Sequence, residues 1–216
     1  MGSSIRMAAL AAVALCGYQS ADAGFVYTSP SNRVVDVSVN SAVVDSQSTA
    51  AQGSWYGSAS MQTSSYAGLA TQGSDLSFAA MTFVGAAQLD ASATANIAAR
   101  SGAQVFFSAS GTESIRWIAN LAAQAQGSNN TSSIALAVID LSTNSTVLAF
   151  TGPSIGSGSF TVTSGHNYRI DLAANASATG PVNALANYNV GFFSTVPGPG
   201  AMALVGLAGL ASRRRR

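Results

Sequence analysis

The sequence predicts an all-β chain: an antiparallel β-sandwich, jelly-roll-like, flanked by an N-terminal signal peptide and a short C-terminal apolar helix. Three observations carry the prediction. Apolar residues at every second position recur in four separate stretches of the body, clusters of Gly, Asn and Ser interrupt the patterned stretches, and no α/β repeat is visible. About ten short strands, apolar inward and polar outward, follow from that pattern.

Residues 1–23 come first. Arg6 is followed by an apolar run, 7–15, too short to span a bilayer, and then by the small-x-small site Ala21-Asp22-Ala23. This reads as a secretory signal peptide. Cleavage after Ala23 discards Cys16, the single cysteine, so the mature chain has no disulfide, thiolate nucleophile or cysteine ligand. Lipidation of Cys16 is disfavoured because Leu15, not a small residue, precedes it.

The body, 24–195, suits one domain. Residues 33–39 form the first strand candidate, and 41–73, the least patterned part, is expected to be a long loop with poorly formed strands. Residues 76–84 follow as a strand. At 87–99 every odd position is apolar (Ala87, Leu89, Ala91, Ala93, Ala95, Ile97, Ala99), which predicts one continuous strand with a single wet face despite its alanine content. Residues 104–108 are the next candidate. The same alternation marks 115–121, 168–178 and 182–192, with further candidates at 133–141, 146–150 and 159–163. Ser142-Thr143-Asn144-Ser145 and Ser164-Gly165-His166-Asn167 read as hairpin connections, since Gly and Asn tolerate positive φ.

At the C-terminus, 196–216, a Pro/Gly breaker (Val196, Pro197, Gly198, Pro199, Gly200) precedes an apolar segment, 201–211, and the cluster Arg213, Arg214, Arg215 and Arg216. Eleven residues at about 1.5 Å each make a helix of about 17 Å, short of a hydrocarbon core of about 30 Å, so the segment is a weak transmembrane helix. The arginines resist translocation and would hold that end in the cytoplasm. The order Val-Pro-x-Pro, apolar Gly/Leu/Ala segment and terminal Arg cluster resembles the PEP-CTERM sorting tail of exported bacterial proteins, with Gly198 where the family carries Glu. The resemblance covers about the last twenty residues. It implies processing by an exosortase-type enzyme, transient inner-membrane contact through the tail and a cell-surface or extracellular-matrix destination, often beside polysaccharide.

Composition narrows the chemistry. All nine basic residues are Arg and none is Lys, which excludes Schiff-base and P-loop lysine chemistry. Residues 24–195 carry seven acids against four arginines, so the body offers no basic surface to nucleic acid. With one His, a metal site of two or three imidazoles is impossible within the chain. Calcium stays open, because Asp140 and Asn144, and Asp171 and Asn175, are each four apart. No cofactor is expected.

Gly152-Pro153-Ser154-Ile155-Gly156 matches the nucleophile-elbow string. No acid lies between Ser154 and His166 and no helix pattern follows, so it reads as a chance match among 21 glycines. Trp117 alternates with apolar residues and is expected in the core. Trp55 and Tyr56 are the aromatic candidates for stacking on sugar rings, and as strand neighbours they point to opposite faces. The expectation is a non-enzymatic structural or adhesive protein of a cell surface or matrix. A carbohydrate-binding module acting on exopolysaccharide is the alternative, and a glycoside-active enzyme with paired carboxylates stands behind both.

Overall fold

The computed structural model describes residues 24–195 apart from 29, 92–95, 128–129 and 181. The expected signal peptide with Ala21 and Ala23, and the expected sorting tail with Val196 to Pro199, its apolar segment and Arg213 to Arg216, lie outside the described residues. Among the described residues no helix is long and apolar enough to cross a membrane.

Thirteen strands are described: β1 (Phe25–Tyr27), β2 (Asn32–Val39), β3 (Ala42–Thr49), β4 (Trp55–Gln62), β5 (Tyr66–Leu76), β6 (Ala80–Ala91), β7 (Ile97–Ala109), β8 (Glu113–Ala125), β9 (Asn130–Asp140), β10 (Ser145–Thr151), β11 (Ser154–Val162), β12 (Asn167–Ala178) and β13 (Val182–Ser194). They make two antiparallel sheets stacked as a sandwich. One has the order β10-β9-β12-β7-β2-β3, with β1 pairing the end of β7 beyond β2; the other has the order β11-β8-β13-β6-β5-β4.

The period-two pattern decides which residues meet between the sheets. On β12, Tyr168, Ile170, Leu172, Ala174, Ala176 and Ala178 are buried while their neighbours are half-exposed. Phe107 stacks on Tyr168 at 5.3 Å between ring centroids and meets Phe25 edge-on at 5.2 Å, filling one end of the core. Elsewhere the inner faces are alanine-rich, with Ala59, Ala70, Ala87, Ala174 and Ala186 fully buried. Trp117, expected in the core, is half-buried at its margin on the β10–β11 side, where its ring packs on Phe150 at 5.2 Å and lies against the backbone of Gly156 and Gly158.

Two expectations are corrected. The alternation at 87–99 is not one strand: β6 ends at Ala91, β7 begins at Ile97, and the two belong to different sheets. Both strands feed the same interlayer space, so apolar residues keep even spacing across the crossover. The stretch 41–73 is not a loop either; it holds β3, β4 and the start of β5. β3 is an edge strand exposed on nearly all its length, and the inward positions of β4 and β5 include Gly57, Gly68, Gln72 and Ser74, so neither shows an apolar period. The strands are also longer than expected: β6, β7, β8, β12 and β13 run twelve or thirteen residues each.

Candidate functional site

Of the two aromatic candidates, Trp55 belongs to the packing. Its ring covers Gly57, where any Cβ would collide with the indole, and the Arg33 guanidinium lies 5.7 Å above it. Arg33 is fully buried and donates to the carbonyls of Gly53 (2.8 Å) and Ala51 and to Ser74 Oγ (2.9 Å), fixing the loop that leads into β4. Burial draws its pKa below the ordinary value, opposed by Tyr27 and Asp75.

Tyr56 points the other way and is 69% exposed. It begins a transverse row on the outer face of the six-stranded sheet. Tyr56 pairs with Gly73, Gly73 with Val84, Val84 with Asn189, Asn189 with Asn120, and Asn120 with Ile155. Beside it Thr71, Ala86 and Asn187 form the next row. A shallow hollow of about 420 Å³ lies over these residues, and none of its lining side chains is charged. The amides of Asn120, Asn187 and Asn189 were not singled out in the sequence. Alternation of Asn187 and Asn189 with Ala186, Tyr188 and Val190 signals their outward face, whereas the pairing with Asn120 depends on a register no local pattern encodes.

His166, Asp140, Asp171, Glu113 and Asp36, which have acid–base potential, make their contacts elsewhere. His166 lies in the stretch 164–167, read from the sequence as a hairpin connection but in fact a crossing from β11 in one sheet to β12 in the other; it is half-buried, and its Nδ1 lies 2.8 Å from Asp140 Oδ2. Asp140 Oδ1 accepts the backbone N–H groups of Ser142 (2.9 Å) and Thr143 (3.2 Å), closing the β9–β10 turn. Burial raises the Asp140 carboxyl, but the bonds from His166 and the two N–H groups outweigh it and leave the pKa below its ordinary value. Asp171 accepts from Arg169 Nε (2.7 Å) and Gln104 Nε2 (2.9 Å). The pairings of Asp140 and Asp171 leave neither four-residue spacing as a ready oxygen cage.

Glu113 is buried and accepts from the Ser194 hydroxyl on one oxygen; burial raises its pKa against that bond. Asp36 faces Arg100 at 3.9 Å and is likewise raised by burial, with Arg100 opposing. Ser154 opens edge strand β11, paired with Leu121, with no helix after it. Among the described residues no three His, Cys, Asp or Glu side chains gather where they could hold a metal ion. No family model, no curated protein and no solved structure matches the chain.

Proposed function

We propose that the chain is an exported, non-enzymatic structural or adhesive protein of a bacterial cell surface or extracellular matrix. In this reading residues 1–23 direct export. The tail 196–216 then holds the protein transiently at the inner membrane, until an exosortase-type enzyme cuts near Pro197 to Gly200. The observation that carries the non-enzymatic part is the engagement of Asp140, His166 and Asp171 in turn and cross-strand bonds, while the hollow on the outer face of the six-stranded sheet presents only hydroxyl, amide and apolar groups. The strand orders β6-β13-β8-β11 and β7-β12-β9-β10, with successive strands mostly changing sheet, support reading the eight later strands as a jelly roll. β2 and β3 extend one sheet and β4 and β5 the other.

Fractionation of the native cells with an antibody to the body tests the destination. Surface or matrix recovery is expected, and recovery mainly from the cytoplasm would sink the reading. Intact-mass analysis of the recovered protein tests the tail: a mass lacking 201–216 is expected, and a mass retaining them leaves a tail-anchored protein instead.

A further inference from the structure

We propose that the outer face of the six-stranded sheet is a binding site for a neutral polysaccharide, an extended chain of pyranose units laid across the strands from Tyr56 to Asn120. The proposal rests on the export reading, which brings this face to a polysaccharide-containing surface.

Its core is the triad Asn120, Asn187 and Asn189. Asn120 and Asn189 are directly paired across β8 and β13, and Asn187 lies two residues from Asn189 on the same face. With strands about 4.8 Å apart and a rise of about 3.4 Å per residue, the three Cα positions form a right triangle with sides of about 5 and 7 Å. That is the size of one pyranose ring. Each amide offers a donor and an acceptor at once, which is what adjacent sugar hydroxyls require, and none of the three has a hydrogen-bond partner among the described residues.

Tyr56 supplies the apolar part. Its exposed ring can lie against the C–H face of a sugar. It sits three strand intervals from Asn189, a distance of about 14 Å, so one monosaccharide cannot touch both and the ligand must be a chain. Between them Gly73 and Ala86 keep the floor low and Val84 gives it an apolar patch. The charge pattern selects a neutral chain. No lining residue is charged, and the nearest carboxylate on the row beside it, Asp75, accepts from Ser54 Oγ at 2.9 Å and repels anions.

Titration calorimetry on the full exported protein, with cello-, laminari-, manno- and xylohexaose, the matching monosaccharides and anionic hexagalacturonate, decides the matter. At least one neutral hexasaccharide should bind, at least tenfold tighter than its monosaccharide and than hexagalacturonate. Tyr56→Ala and the double variant Asn120→Ala/Asn189→Ala should each weaken it at least tenfold with unchanged far-UV spectra. Asn175→Ala, on the opposite sheet, should bind as the parent does. Absence of binding to every neutral hexasaccharide, equal affinity for monosaccharide, preference for hexagalacturonate, or full affinity in both site variants overturns the proposal. Cell fractionation separates this from the export reading: a surface-located protein that ignores all four glycans defeats the site alone, and a cytoplasmic one that binds them defeats export alone.

Discussion

The hydroxyl of Tyr188, on β13, meets the hydroxyl of Ser101, on β7, at 2.7 Å in the space between the two sheets. Ser101 Oγ also donates to the Thr71 carbonyl at 2.8 Å, so one serine ties its own sheet to two strands of the other. Burial holds the Tyr188 phenol above its ordinary pKa, so it stays neutral and donates to Ser101 Oγ throughout the physiological range. Room for the ring comes from Gly85, where an added Cβ would collide with the Tyr188 hydroxyl and lie 2.7 Å from Ser101 Oγ.

Removing the phenol oxygen should therefore cost more than its area. Tyr188→Phe leaves the serine with the Thr71 carbonyl but strips one bond from a dry site, and a loss of about 1–2 kcal/mol is expected by urea denaturation. Gly85→Ala should cost at least as much, because the backbone there has no freedom to retreat from its paired strands. The two losses should be less than additive, since both variants break the same contact. Full additivity would show that the glycine serves some other purpose.

Gln72 presents the reverse case. It is fully buried, and neither its Oε1 nor its Nε2 has a partner among the described residues. A buried amide without bonds is a standing penalty, so Gln72→Met, of similar shape, should stabilise the protein by about 1 kcal/mol or more. That corresponds to a rise in Tm of about 2–4 °C for a domain of this size. A lower Tm in the variant would mean that an ordered water satisfies the amide.

The same glutamine shows why β4 and β5, a third of the second sheet, were illegible in the sequence. Strand recognition needs apolar residues at every second position, and β5 places Gly68, Ala70, Gln72 and Ser74 inward in succession. β12 and β13, with Tyr168, Ile170, Leu172 and Val190, Phe192 inward, were legible because their partners are large. The break between β6 and β7 was hidden for another reason: the two strands face one core from opposite sides. Tyr56 could be named from its flanking glycines and its neighbour Trp55, but the asparagines it shares a face with come from strands more than sixty residues away.

Two carboxylates should move stability with pH in opposite directions. Asp140 has a folded pKa below its ordinary value, so its contribution is present above the ordinary value and is lost as pH falls through the folded one. Asp140→Asn should destabilise the protein at pH 7, and the difference should shrink below about pH 4. Glu113 has a folded pKa raised by burial, with Ser194 opposing, so the folded state prefers the proton and stability declines as pH rises through that raised value. Glu113→Gln should be more stable than the parent at pH 7 and equal to it below about pH 4. Thermal melts of both variants across pH 3–8 measure the two differences. Parallel pH profiles for parent and variants would refute the assignment.

The last prediction concerns the edge formed by β3 and β4. An unpaired edge strand invites other chains, and here two side chains of β3 cover it. Gln47 Oε1 accepts the N–H of Ser58 at 3.2 Å, and Asp45 Oδ2 accepts that of Ser60 at 2.8 Å, so two outward N–H groups of β4 are already satisfied. The carboxylate adds charge, which an incoming strand would have to desolvate. Asp45→Ala/Gln47→Ala removes both acceptors while leaving the buried face of β4 untouched. Because the bonds are exposed, the loss of stability should be small, about 1 kcal/mol or less, whereas concentration-dependent self-association should appear or increase in sedimentation velocity. Adding back Asp45 alone should suppress most of it. Identical sedimentation of the parent and the double variant over a hundredfold concentration range would mean that β3 itself, and not its two acceptors, shields the edge.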